Sequence, residues 1–154
     1  MGVYERVSKF KKKYPHTLAI RLKKHARVVE NILDKDEKVL YAFCGQRNDS
    51  YNLFFDSCVV ALTNKRIIVG EKRIFGYYLL TISTKLFNDL TINTRVIWGR
   101  VEIDTVKENL FISNIDKRAM DEIETKIHEI VHANNQTNQQ ETNQENKEET
   151  TINK

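Results

Sequence analysis

The chain is poor in the residues that punctuate or staple small folds. It has one proline, five glycines, two cysteines and a single tryptophan in 154 residues. The two cysteines, Cys44 and Cys58, are too few for a disulfide-built scaffold and lack zinc-ligand spacing. Each sits in an apolar run and reads as a reduced core thiol. The glycines form no phosphate-cradling loop, and no cofactor is expected. No apolar run reaches the roughly 18 residues of a membrane span. The N-terminal residues are charged, without the apolar stretch of a signal peptide, and Arg6 stands where a myristoylation motif wants Ser or Thr. A cytoplasmic protein, at most peripheral at a membrane, is expected. Ser/His/Asp and Cys/His arrangements are missing, as are paired carboxylates, and no enzyme is expected.

Charge is present in both signs but unevenly placed. The net charge is +4, too mild for a nucleic-acid signature, and no nucleic-acid partner is expected. Residues 1–30 hold nine basic side chains (Arg6, Lys9, Lys11, Lys12, Lys13, Arg21, Lys23, Lys24, Arg27) against Glu5 and Glu30, a balance of +7. This front end is the one long-range electrostatic feature. At the other end, residues 134–154 contain 14 Asn, Gln or Thr and a lone aliphatic, Ile152. Such a segment buries too little apolar area to offset its ordering entropy, so a disordered tail is predicted.

Between these ends the hydrophobic period changes twice. Leu18, Leu22, Ala26, Val29 and Leu33 recur every three or four positions, which predicts an amphipathic helix over 16–34. Strand-type runs follow at 38–44, 57–63, 66–72, 76–82, 90–94, 98–106 and 110–114, with a polar loop at 45–52 and a hairpin signal at Asn64-Lys65. A second helix is predicted over 115–133, capped by Ser113 or Asn114, with Ala119, Ile123, Ile127 and Ile130 as its apolar stripe. About seven strands followed by one helix exclude a parallel α/β sheet. They predict a mainly β fold: a small antiparallel barrel capped by a C-terminal helix. The units are a basic N-terminal segment and helix (1–35), the barrel with its helix (36–133) and the tail (134–154).

The stretch "VVALTNKRIIVGEKR" (59–73), with its Thr63-Asn64-Lys65-Arg66 turn between apolar strands, resembles the second hairpin of bacterial pleckstrin-homology (PH) domain proteins. Residues 98–127 resemble their last two strands and closing helix, and 14–43 the helical lead-in of Gram-positive and phage members. The resemblance implies a seven-stranded barrel with a binding or scaffold role and no chemistry. It does not imply phosphoinositide recognition: eukaryotic lipid-binding PH domains use Lys and Arg on the first two strands, where this chain has only Lys38 and Arg47.

Four features are candidates for function. His128-Glu129-x-x-His132 has the spacing of a zinc protease helix. Stepping 100° per residue from Ile123, however, puts His128 at about 140° and His132 at about 180°, away from the apolar stripe. A third ligand would have to come from the tail, as Glu141 or Glu145, so the motif reads as fortuitous and no metal is expected. Lys65 and Arg66 could contact phosphate or carboxylate, but the reading preferred is turn chemistry, with pairing of Arg66 to an acidic side chain on a neighbouring strand as a further option. Lys11, Lys12, Lys13, Arg21 and Lys24 form a candidate surface for anionic lipid. Trp98 shares a strand face with Arg100, Glu102 and Asp104, which places it outside the barrel; a bulge at Gly99 turning it inward, or cover from the lead-in helix, is preferred. The expected function is a non-catalytic binding module with an unknown protein partner. An anionic membrane surface is the alternative, a zinc hydrolase a remote one, and self-association is open.

Overall fold

The computed structural model describes residues 1–47, 56–106 and 108–152. Two helices lead, α1 (Val3–Lys13) and α2 (Leu22–Glu30). Seven strands follow: β1 (Val39–Arg47), β2 (Ser57–Thr63), β3 (Arg66–Lys72), β4 (Tyr77–Ser83), β5 (Phe87–Thr94), β6 (Trp98–Thr105) and β7 (Asn109–Asp116). A long helix, α3 (Met120–Ile152), closes the chain. All seven expected strands form. They make one antiparallel sheet in the order β4-β3-β2-β1-β7-β6-β5. The sheet curls without pairing β4 to β5, so the barrel is a half-barrel with two edges.

Three sequence expectations change. The helix expected over 16–34 is shorter, Leu22–Glu30, with an extended segment before it, and a further helix, α1, forms in the basic stretch ahead of Pro15. Pro15 sits just past α1, and Arg21 adopts a left-handed conformation (φ 55°) as the N-cap of α2, which keeps the helix from extending back to residue 16. Residues 113–116 belong to β7, so the cap before the closing helix is Asp116, whose carboxylate accepts from the Arg118 backbone N–H at 3.1 Å. The closing helix also passes residue 133 and runs through the polar segment to Ile152. No Gly or Pro interrupts this stretch, and a nucleated helix propagates without one. Asn134, just past residue 133, is buried and donates to the Thr63 carbonyl at 3.0 Å. Of the predicted 45–52 loop, residues 45–47 belong to β1 and the rest lie outside the described residues.

The halves of the sheet are covered differently. All seven positions of β2 are buried, as are the five central ones of β3, so both faces of these strands are covered. α1 packs on β1, α2 on β3 and β2, and α3 on strands from both halves. Close approach of α2 requires Gly70, where a Cβ would come within 2.6 Å of Val29 Cγ2. The strand β6 instead alternates strictly between buried and exposed or half-exposed residues. Val101 and Ile103 face the core, where α3 lays down Met120, Ile123 and Ile127, while Arg100, Glu102 and Asp104 look outward. The lead-in stops short of this face.

Candidate functional site

The cations of α1 are mostly turned to structural use. Phe10 packs with Tyr14, Tyr41 and Phe43, at ring-centroid distances of 5.0 Å to Tyr14 and 6.1 Å to Phe43, and fixes α1 on β1. Around this cluster Arg6 donates to the Leu40 carbonyl at 2.9 Å. Lys11 donates to the Pro15 carbonyl at 2.8 Å and to the Thr17 carbonyl, satisfying acceptors just past the helix end. Lys13 pairs with Glu122 of α3, which also accepts from the Tyr14 hydroxyl at 2.7 Å and the Tyr41 hydroxyl at 3.0 Å. Burial opposes ionisation of Glu122, but these three donors win and hold its carboxyl below the usual range. Lys9 and Lys12 remain exposed.

The cations of α2 stand differently. Its buried face is His25, Ala26 and Val29. The His25 Nδ1 accepts from the Lys72 backbone N–H at 2.8 Å, and burial pulls its pKa down to about 4, leaving the ring neutral. Arg21, Lys23, Lys24 and Arg27 are exposed on the other side, without a side-chain partner among the described residues. Arg21 borders a depression of about 320 Å³ shared with Arg73, Ile74 and Phe75. Lys24 and Arg27 border one of about 250 Å³ shared with Lys72 and Tyr77. These cations therefore run up to the β3–β4 hairpin tip, where Ile74 is 62% and Phe75 92% exposed. Sequence reasoning singled out Arg21 and Lys24 but missed the tip. The adjacent "KRIFG" (72–76) was the available signal, since Ile and Phe rarely occupy a hairpin turn without a role beyond the turn itself.

Lys65 and Arg66 are structural. The Glu37 carboxylate is fully buried and accepts from Arg66 at 3.0 and 2.7 Å and from the Thr63 hydroxyl at 2.7 Å. Burial opposes its ionisation, but these bonds hold its pKa down to about 2. Arg66 also donates to the Ile32 carbonyl at 2.9 Å. Its acid partner lies just ahead of β1. Lys65 bridges Asp34 and Asp36 at 3.2 and 3.0 Å. Arg47 meets Glu71 at 3.1 Å and stacks over Tyr78.

The HExxH residues stay apart from any assembled centre. His128, Glu129 and His132 are exposed on α3; Glu129 pairs with Lys126 at 2.7 Å and His132 bonds Gln136 at 3.0 Å. Among the described residues no group of three His, Cys, Asp or Glu could hold a metal. The side chains of Glu141 and Glu145 lie outside the described ones. Cys44 and Cys58 are free and buried, and burial pushes the Cys44 thiol up to about 12, which favours its neutral form.

Trp98 is not turned inward. Gly99 takes the inward position, where a Cβ would overlap the Met120 side chain, and the β6–β7 register shifts just after it. The Trp98 ring lies on the outer face, 37% exposed, and its Nε1 donates to the His16 carbonyl at 2.9 Å. The extended segment between α1 and α2, rather than a helix, gives it partial cover. Beside it opens a groove of about 540 Å³, bounded by Leu18 and by residues of β1, β5, β6 and β7.

A curled antiparallel sheet of seven strands, closed on one side by a C-terminal helix, is a PH-like fold. The chain belongs to the bacterial PH domain family, whose model matches residues 33–129. α1 and α2 precede the matched region. No curated protein matches the chain. Among solved structures it is similar to a DUF1696 family protein with a pleckstrin-homology domain from Shewanella loihica PV-4, at 14% identity and a TM-score of 0.42, over 71% of this chain and 93% of that one.

Proposed function

We propose that this protein is a non-catalytic binding module that docks on an anionic membrane surface through α2 and the β3–β4 tip. The observation that carries the reading is Ile74 and Phe75 exposed at a hairpin tip beside Arg21, Lys24 and Arg27, cations without a side-chain partner among the described residues. Each Lys or Arg near an anionic surface contributes roughly 1 kcal/mol, and shallow burial of two apolar side chains adds to that. Asp56 and Glu71 also line the depression at the tip, and Glu71 is neutralised by Arg47 and Arg73. This moves the lipid contact from the lysine run at 11–13, much of which is held inward, to the next helix. No helix among the described residues is long and apolar enough to cross a membrane, and the proposed attachment is a peripheral one.

The test is co-sedimentation of the full chain with phosphatidylserine-containing and neutral vesicles, at low and high salt. Salt-sensitive binding to the anionic vesicles alone, weakened by Ile74→Ser with Phe75→Ser, is the expected result. Equal binding to both vesicle types, or none, would remove the membrane reading.

A further inference from the structure

β5 is an edge of the sheet: β6 pairs on one side of it and α3 packs on its inner face. The phase of its open edge follows from the β5–β6 turn. The Arg95 N–H donates to the Trp98 carbonyl at 2.8 Å, so Arg95, Asn93 and Thr91 direct their backbone groups at β6, while Thr94, Ile92 and Leu90 direct theirs outward. The Asp89 carboxylate bends back to accept from the Leu90 N–H at 2.8 Å, as an outward N–H allows. Natural edge strands are blunted by Lys, Pro, shortness or a bulge. Phe87–Thr94 has eight residues and no Lys, Arg or Pro, and its irregularity is confined to the start, between Phe87 and Asp89.

This edge is complementary to itself. An antiparallel copy related by a two-fold axis keeps each side chain on its own face of the sheet, so the axis passes through a residue. With the axis at Thr91, Leu90 faces Ile92 of the second copy, twice over, on the inner face, where Leu90 is buried and Ile92 only half-buried. On the outer face Asp89 meets Asn93. Arg95, just past the strand, lies diagonally from Asp89 of the second copy, within reach of a long side chain. An axis at Leu90 would bring Arg95 toward Lys85, a like-charge pair. An axis at Ile92 would set Leu90 opposite the polar Thr94 and run Asn88 off the strand end. The Thr91 register alone of these three puts apolar pairs inside and opposite charges outside.

We infer that two copies of this chain pair through β5, antiparallel about Thr91, joining two seven-stranded sheets into one. The Leu90 N–H then donates to the Ile92 carbonyl of the second copy, which frees Asp89 for Arg95. β4, the other edge, holds no charged residue that would select a register. The paired residues are separate from α2 and the β3–β4 tip, so the pairing stands without the membrane reading.

Sedimentation velocity of the full-length protein over a rising concentration series reads the association, and a mass climbing toward twice the 18.1 kDa chain is expected. Asp89→Lys and Arg95→Glu, both at exposed positions, each set like charges at the two symmetric contacts. Either should weaken self-association about tenfold or more, with the circular dichroism spectrum unchanged. Mixing the two variants restores opposite charges at both contacts, so the mixture should pair where neither variant does alone. Thr91→Cys, on the axis, should yield a disulfide-linked pair under mild oxidation, and Asn93→Cys, displaced along the strand, should not; the native Cys44 and Cys58 are buried. A single-chain mass at every concentration, self-association indifferent to either charge change, a mixture no better than its components, or linkage through Asn93→Cys in preference to Thr91→Cys would overturn the inference.

Discussion

α1 and α2 are neighbours of similar composition, and their cations do opposite things. In α1, Arg6, Lys11 and Lys13 reach carbonyls or Glu122 and hold the lead-in to the sheet. In and just before α2, Arg21, Lys23, Lys24 and Arg27 face outward beside an exposed apolar tip. A count of basic residues treats the two alike. What separates them is the acceptor supply: α1 ends over a turn with open carbonyls and beside the half-buried Glu122 carboxylate, whereas the cations of α2 form no side-chain pair among the described residues and stand beside a hairpin tip. The same distinction sorts Lys65 and Arg66, which are conspicuous in sequence, into the structural group.

The structural group can be broken at its strongest member. Arg66→Ala strands the buried Glu37 carboxylate and is expected to cost about 3–5 kcal/mol, read as a lower denaturant midpoint in equilibrium unfolding. Acid should act next, in two windows. His25 is neutral in the fold with its pKa near 4, so the unfolded chain binds its proton first. Stability falls as pH drops from about 6.5 toward 4, by on the order of 3 kcal/mol in total. Glu37 is held near 2, and its contribution, full above the ordinary glutamate range, is lost as pH falls from about 4.5 toward 2. Denaturant melts at stepped pH check both, and His25→Asn should flatten the upper window alone. Lys65→Ala, which removes a solvent-exposed bridge to Asp34 and Asp36, should cost less than about 1 kcal/mol in the same assay. An effect matching Arg66→Ala would erase the distinction between buried and surface pairing drawn here.

Much of the fold was legible because its signals are periodic. Strand alternation in "WGRVEIDTV", the Asn64-Lys65 turn and the Ile123/Ile127/Ile130 stripe each fix an element from within a few residues. The misreadings come from long-range terms. Nothing local in "HTLAIR" shows that it lies extended, with the Leu18 N–H bonded to the Asn114 carbonyl at 2.8 Å and the Ile20 N–H to Ser57 at 3.1 Å. Trp98 was rightly placed on the outer face by alternation, and the preference for turning it inward failed because Met120 fills the space behind Gly99. The candidate site was legible in part. Arg21 and Lys24 could be named, but which cations have partners depends on contacts from the other end of the chain.

The most direct test of the central claim sets the two helices against each other on phosphatidylserine vesicles at low salt. The account predicts that Arg21→Ala, Lys24→Ala and Arg27→Ala together reduce affinity by about a hundredfold, at roughly 1 kcal/mol per cation, while Lys9→Ala with Lys12→Ala on α1 changes it far less and neither set shifts the thermal midpoint. Loss of binding in the α1 pair with the α2 triple unaffected would contradict it.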